Sequence, residues 1–250
     1  MSHHLVEAQD VHYAYPDGTP ALRGVSFRIT HGESVGLIGA NGAGKSTLLL
    51  HLSGALMPTA GTINVGGYAL TKDTLAQVRR TVGMVFQDPD DQLFMPTVRD
   101  DVAFGPLNMG LTQAEADRRA REALETVGAG DLADRPPYRL SGGQKRAAAI
   151  ATVLSMSPAI LAMDEPTSGL DPWARRRLLG LLAGFAHTKI IAGHDLDMIM
   201  ALCGRVILLH EGRVAADGPA GEILRDGALL AASRLEKPPS LQACPICGGH

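Results

Sequence analysis

The residues Gly39-Ala40-Asn41-Gly42-Ala43-Gly44-Lys45-Ser46-Thr47 sit between an apolar run of strand length, Ser34 to Ile38, and a helical run from Lys45 to Leu52. This is the spacing G-x-x-x-x-G-K-[ST] in the strand–loop–helix context that gives the pattern its meaning. Glycines let the backbone wrap closely around a bound group, and the first N–H groups of the following helix face that group with the positive end of the helix dipole. Lys45 adds a full positive charge, and the Ser46 hydroxyl suits a hard divalent cation such as Mg²⁺. A nucleoside triphosphate is the expected occupant.

Composition narrows what surrounds this loop. A chain of 250 residues has room for one large domain or two small ones with a sizeable core. With 45% hydrophobic residues, 29 Gly and 15 Pro, it reads as turn-rich and globular. The formal net charge of −3 provides no general basic field for nucleic-acid phosphates, so no nucleic-acid partner is expected. Leu178 to Ala186, the longest apolar stretch, is broken by Gly180 and Gly184 and falls short of the roughly 18 to 20 residues that cross a bilayer. Any membrane role is therefore expected to be peripheral. Met1-Ser2-His3-His4 lacks the start of a secretory signal, and Cys203, Cys244 and Cys247 make no disulfide framework, so a reducing cytoplasm is expected.

Val25, Phe27 and Ile29 alternate with Ser26 and Arg28, the pattern of a half-buried strand in an antiparallel opening region. Short apolar runs follow at Ser34 to Ile38, Val82 to Phe86, Ala159 to Met163, Lys189 to Ala192 and Val206 to Leu209, several of them leading into helical patterns. That alternation predicts an α/β fold with a parallel sheet covered on both faces. The stretch of about 88–157 reads as a helical insertion, with a charged helix over Gln113 to Val127 whose charges form a solvated face. The nucleotide-binding domain is placed at 1–225 and a tail at 226–250, with Lys237-Pro238-Pro239-Ser240 closing the fold.

The run Ile160 to Met163 ends in Asp164 and Glu165. Neighbouring side chains on a strand point to opposite sides, so Asp164 is expected to face Mg²⁺ and Glu165 an attacking water, the division of labour that metal-assisted hydrolysis needs. Leu140-Ser141-Gly142-Gly143-Gln144 then opens a further helix, expected over Gln144 to Met156, whose free N–H groups make a second anion site.

In this order the motifs resemble the ATPase domain of ATP-binding cassette (ABC) proteins, from about Val6 to Leu224. Gln87 after a strand, Ser168-Gly169-Leu170-Asp171 after the acidic pair, and His194 after the strand at Lys189 to Ala192 complete the likeness. Ala40, where proline is common in the family's loop, is a departure that touches no phosphate-binding role. The resemblance implies a P-loop NTPase (RecA-like) core with a mainly parallel sheet, an antiparallel β subdomain and an inserted α-helical subdomain. It implies a head-to-tail dimer, either a homodimer or a pair with a related ATPase, with ATP and Mg²⁺ held between Gly39 to Thr47 of one copy and Ser141 to Gln144 of the other. By the same implication Glu165 is the general base, Gln87 senses Mg²⁺ and water, and His194 holds the γ-phosphate. Asp171 crosses the interface, and Tyr15 stacks on adenine with Tyr13 in reserve.

The segment Val85 to Phe94, followed by Thr97-Val98 and Asp101 to Pro106, resembles the ATPase subunits of energy-coupling factor importers, especially the cobalt and nickel group. The implied partners are a transmembrane coupling subunit and a substrate-binding membrane subunit, with the ATPase at the cytoplasmic face of the inner membrane. Asp88, Asp90 and Asp91 are candidates to accept an arginine from a coupling helix, with Leu93 and Phe94 as an apolar floor; a helix-capping acidic turn is the plainer reading. Cys244-Pro245-Ile246-Cys247 with His250 supplies at most three ligands where structural zinc takes four. Vitamin uptake by the same architecture, a soluble ABC ATPase acting on ribosomes or DNA, and a small-molecule kinase or GTPase are the competing functions. The last leaves Leu140 to Gln144 without a task and lacks an Asn-Lys-x-Asp motif.

Overall fold

Residues that alternate in the central strands divide the molecule into two cores. In the computed structural model, which describes residues 4–185 and 187–242, the chain begins with β1 (His4–Ala14), β2 (Pro20–Thr30) and β3 (Ser34–Ile38). Helix α1 (Lys45–Leu52), β4 (Ala60–Val65), β5 (Tyr68–Ala69), α2 (Leu75–Thr81) and β6 (Val82–Val85) follow. The insertion carries α3 (Val98–Asn108), α4 (Gln113–Thr126) and α5 (Gly142–Leu154). The chain returns to the sheet with β7 (Ile160–Asp164), α6 (Pro172–Ala183), β8 (Thr188–Ala192), α7 (Leu196–Leu202), β9 (Arg205–His210) and β10 (Arg213–Pro219), then adds α8 (Ala220–Ile223) and α9 (Gly227–Ala232).

Two sheets form, with strand orders β2-β1-β4-β5 and β10-β9-β3-β8-β7-β6. The first is antiparallel; in the second, β6, β7, β8, β3 and β9 run parallel and β10 is antiparallel at the edge. Every residue of β6, β7 and β8 is buried, which is why these strands read as continuous apolar runs. Ile160 and Ala162 of β7, Ile190 of β8 and Ile207 of β9 join a core shared with α1 and the antiparallel sheet. Leu161, Met163, Ile191 and Leu208 point the other way, into a core shared with α3 to α7.

The strand pattern of β2 is as expected, with Val25, Phe27 and Ile29 buried between exposed Ser26 and Arg28. Helix α4 buries Ala116, Ala120, Ala123 and Leu124. Its solvent side is laced by Arg118, which reaches Glu115 and Glu122 at 2.6 Å each, exposed pairs that add little stability. Helix α5 begins at Gly142, ahead of the expected Gln144, because Ser141 already supplies the cap. The weak apolar pattern after Asp226 does not end the packed chain. Leu230 of α9 is 0% exposed and belongs to the core of α3 to α7, and the Ser240 N–H donates to Asp197 of α7 at 3.3 Å. Cys244, Cys247 and His250 lie outside the described residues.

Burial on this scale predicts that Leu230→Ala lowers unfolding free energy by about 2–5 kcal/mol, the usual range for Leu truncation in a core. Denaturant melting of full-length protein measures it. An unchanged midpoint would mean that α9 contributes nothing to the core.

Candidate active site

Strand register brings the site together. Leu37 of β3 and Asp164 of β7 both pair with Ala192 of β8, so the three strands end level. The ladder runs on past their ends: the Gly193 N–H donates to the Leu37 carbonyl at 3.3 Å, and the Glu165 N–H to the Ala192 carbonyl at 2.9 Å. Gly39, Glu165 and His194 therefore emerge side by side at the carboxyl edge of the sheet, where open α/β sheets bind their ligands.

In the loop Gly39 to Ser46, Gly42 and Gly44 take φ values of 78° and 103°, a region that favours glycine. A Cβ on Gly44 would also lie 2.7 Å from the Ala21 carbonyl oxygen. Lys45 is buried and its ammonium donates to the carbonyls of Gly39 at 2.7 Å and Ala40 at 3.2 Å. Burial lowers its pKa, against the pull of the nearby Glu165 and Asp164 charges. Asp164 is buried opposite. Desolvation raises its pKa, and a hydrogen bond from Ser46 offsets part of that rise. Its Oδ1 is buried with no hydrogen-bond partner.

An orphaned carboxylate oxygen beside a hydroxyl is an all-oxygen, hard donor pair, and it fits Mg²⁺. Among the described residues no cluster of three or more His, Cys, Asp and Glu is placed to hold a metal ion. A cation here would complete its shell with phosphate oxygens and water, as Mg²⁺ commonly does.

Asp164 and Glu165 do diverge, but strand alternation is not the whole reason. Glu165 has left the strand and sits at φ 46°, a left-handed conformation unusual for a residue with a Cβ. The turn aims its buried carboxylate at His194: Oε2 lies 2.8 Å from Nδ1 and accepts from the His194 N–H at 3.3 Å. The His194 ring itself is largely exposed, with 67% side-chain accessibility. Behind it, Asp195 caps α7 and is gripped by Arg175 of α6 at 2.7 and 2.9 Å and by Thr167 at 3.2 Å.

Tyr15, just past β1, lies over the start of α1. Its hydroxyl is 2.8 Å from Thr47 Oγ1, and its ring meets Tyr13 edge-on at 5.2 Å. Tyr13 in turn packs edge-on against buried His51 at 4.7 Å. Tyr15 is the exposed member of the pair and Tyr13 belongs to the core face. That separates the two candidates by position.

The helix start expected to make a second anion site has a local reason for its geometry. Ser141 and Gln144 form a reciprocal capping box: Ser141 Oγ accepts from the Gln144 N–H at 3.4 Å and Gln144 Oε1 accepts from the Ser141 N–H at 3.0 Å. Gly142 and Gly143 lie between them at the exposed first turn, bringing no side chain that would cover their N–H groups. Asp171 caps α6 through its Oδ1, which accepts from the N–H groups of Trp173 and Ala174 at 2.9 Å each. That oxygen is engaged within its own chain. Gln87 is exposed, and with Arg146 and Ser168 it lines a surface cavity.

In the segment after Gln87 the capping reading prevails for part of the acidic run. Asp88 accepts from the Asp90 N–H at 2.9 Å, and Asp90 is paired with Lys145 at 2.6 Å. Leu93 is buried and forms no open floor, whereas Phe94 is 62% exposed and stacks edge-on with exposed Phe104 at 5.0 Å. Asp101 holds this surface in place, its buried Oδ1 accepting from the N–H groups of Phe94 and Met95 at 2.9 and 3.0 Å. Neither the role of Asp101 nor the burial of Arg146 was legible in the sequence, since only the fold reveals that these charges are buried.

The sequence profile of the ABC transporter family matches residues 22–168. A provisionally named ABC transporter ATP-binding protein of Geobacter sulfurreducens is 66% identical over 99% of this chain and 100% of its own length. The energy-coupling factor transporter ATP-binding protein EcfA of Methanothermobacter thermautotrophicus is 46% identical over 94% of this chain and 77% of its own. Among solved structures, cbiO1 from Clostridium perfringens, part of the ABC transporter complex cbiONQ, is 38% identical with a TM-score of 0.80, covering 92% of this chain and 94% of that one. The dimeric ATP-binding cassette MJ0796, bound to ADP and Pi after hydrolysis, is 29% identical with a TM-score of 0.77, covering 86% of this chain and 98% of that one. On sequence and fold, the chain belongs to the ABC transporter family, as an ATP-hydrolysing transporter subunit of the energy-coupling factor type.

Proposed function

We propose that this subunit works as a dimer, with itself or with a related ATPase, that closes on two ATP molecules to drive uptake of a divalent transition metal, Co²⁺ ahead of Ni²⁺. One observation carries the dimer. Helix α1, which follows the phosphate loop, packs through Leu48, Leu49 and Leu52 into one core; helix α5, which carries the second anion site, packs through Ile150 and Val153 into the other. The two helices lie on opposite faces of the parallel sheet, an arrangement that supports a second copy bringing its α5 N-terminus to this copy's phosphate loop. In a two-fold arrangement each copy gives and receives the same surface.

Within such a site, Gly39 to Thr47 wrap the phosphates, Tyr15 stacks on adenine, and Ser46, Asp164 and Gln87 would hold Mg²⁺, which supplies positive charge to the phosphate oxygens. Glu165 takes a proton from the attacking water. His194, held by that same carboxylate, holds the γ-phosphate as ADP departs, and Ser141 to Gln144 with Asp171 come from the partner copy. Catalysis of this kind is positioning and charge stabilisation with no covalent enzyme intermediate.

Coupling to transport is assigned to the face beyond Gln87. The chain is placed at the cytoplasmic side of the inner membrane, peripheral to a transmembrane coupling subunit and a substrate-binding membrane subunit. No described helix is long and apolar enough to cross a membrane, so the path for the metal is assigned to those partners. The exposed Phe94–Phe104 pair and the exposed Asp91, which makes no ion pair among the described residues, offer a coupling helix an apolar contact and a carboxylate. The assignment of metal over vitamin rests on the resemblance of residues 85–106 to cobalt and nickel ATPase subunits.

Glu165→Gln is expected to retain ATP affinity, accumulate as an ATP-bound dimer in sedimentation, and lose about 10²–10⁴-fold in turnover, the usual worth of a general base. Undiminished turnover would remove Glu165 from that role. Ser141→Arg should cut hydrolysis at least about tenfold while ATP affinity of the isolated chain stays within about twofold, because the serine serves the other copy's nucleotide. Parallel loss of both would argue for a single-chain site. In cells carrying the membrane subunits, ATP-dependent Co²⁺ accumulation is expected; uptake of riboflavin or thiamine without cobalt would overturn the metal assignment.

A further inference from the structure

Gln87 follows β6 by two positions, yet its backbone is held chiefly by α5. Arg146 of α5 is 3% exposed; its Nη1 donates to the Phe86 carbonyl at 2.8 Å and its Nη2 to the Gln87 carbonyl at 2.6 Å. A planar guanidinium gripping two successive carbonyls fixes the orientation of both peptide units as well as their distance. Two further ties run in parallel. Lys145 Nζ reaches both carboxylate oxygens of Asp90 at 2.6 and 2.8 Å. The Gln92 carboxamide donates to the Ala149 carbonyl at 2.8 Å and to Thr152 Oγ1 at 2.6 Å, while its oxygen accepts from the Phe86 N–H at 3.2 Å. Phe86 thus has its N–H and its carbonyl both tied to α5.

Stability alone is a poor reason for this arrangement. A buried guanidinium is expensive to desolvate, and Arg146 Nε is buried without a partner. The residue also stands between two sites: it lines one cavity with Gln87 and Ser168, and another of about 520 Å³ with Ser141, Gly143 and Asp171. We propose that Arg146 is a positioning residue that makes Gln87 and the first turn of α5 move as one body. The inference rests on the roles given above to Gln87 and Ser141. Because Ser141 faces the partner's nucleotide while Gln87 faces its own, ATP bound at one site sets the hydrolytic glutamine of the other.

A double-mutant cycle on the full-length chain tests this, with steady-state ATPase measured at saturating Mg·ATP for Gln87→Ala, Arg146→Ala and the pair. Arg146→Ala is expected to lower kcat about tenfold with KM within about twofold, and to lower it by less than about twofold when Gln87 is already alanine. Arg146→Lys, which keeps the charge and loses the fork, should fall between, and it carries the same cycle if the alanine variant does not fold. Equal fold-losses in both backgrounds would show that Arg146 acts independently of Gln87 and overturn the proposal. Slow Gln87→Ala beside full-speed Arg146→Ala would overturn it and leave the role of Gln87 standing. Full-speed Gln87→Ala would remove both.

Discussion

Level strand ends are the constraint on which the site depends. Parallel strands in register finish at a common edge, so the backbone beyond β3, β7 and β8 presents a phosphate loop, a pair of carboxylates and a histidine within reach of one another. The side chains can be brief about positioning because the ladder has done it already. The hydrogen bonds from Glu165 to Ala192 and from Gly193 to Leu37 extend that ladder into the turns that carry Glu165 and His194. A loop lengthened by one residue at any of the three ends would break the convergence with no effect on the core beneath.

The same edge stores strain. A left-handed glutamate costs on the order of 1–3 kcal/mol and persists only where its surroundings over-determine it. At Glu165 they do: its N–H is tied to β8, its carboxylate to the backbone N–H and Nδ1 of His194, and its side chain is buried against Gly193. The strain is what turns the second carboxylate away from Asp164, letting one acid remain beside Ser46 and the other face the next strand's histidine.

Much of this was legible in the chain. The phosphate loop, the central strands and α1 are found where periodicity and glycine spacing put them, because each is governed by local rules: a turn that needs glycine, or an apolar run long enough for one strand. Helix α5 starts ahead of the expected residue, since the Gly142-Gly143 pair reads as loop until the capping box of Ser141 and Gln144 is seen. Leu93 looked like open surface and is core, and α9 looked like tail and is packed. In both, the deciding contacts come from elements distant in sequence, Leu93 and Leu230 both joining the core shared with α3 to α7. Burial of Arg146, Asp101 and Lys189 was beyond reach for the same reason: a charge in a sequence carries no record of the backbone groups that will meet it, carbonyls for Arg146 and for Lys189 (Leu182 and Phe185), N–H groups for Asp101.

Charge at the site also bears on which form of nucleotide enters. Lys45 is a single buried cation facing two buried carboxylates, Asp164 and Glu165. A triphosphate arriving alone would add further negative charge beside them. Like charges close together repel even at the effective dielectric of a partly wet site, so the two acids oppose the attraction of Lys45 and the loop N–H groups. A divalent cation carried in with the phosphates would reverse that sign and give the orphaned Asp164 oxygen a partner. On the proposed reading the electrostatics therefore favour the magnesium complex of ATP over free ATP, and the acid at the end of β7 acts on nucleotide binding together with the lysine in the loop.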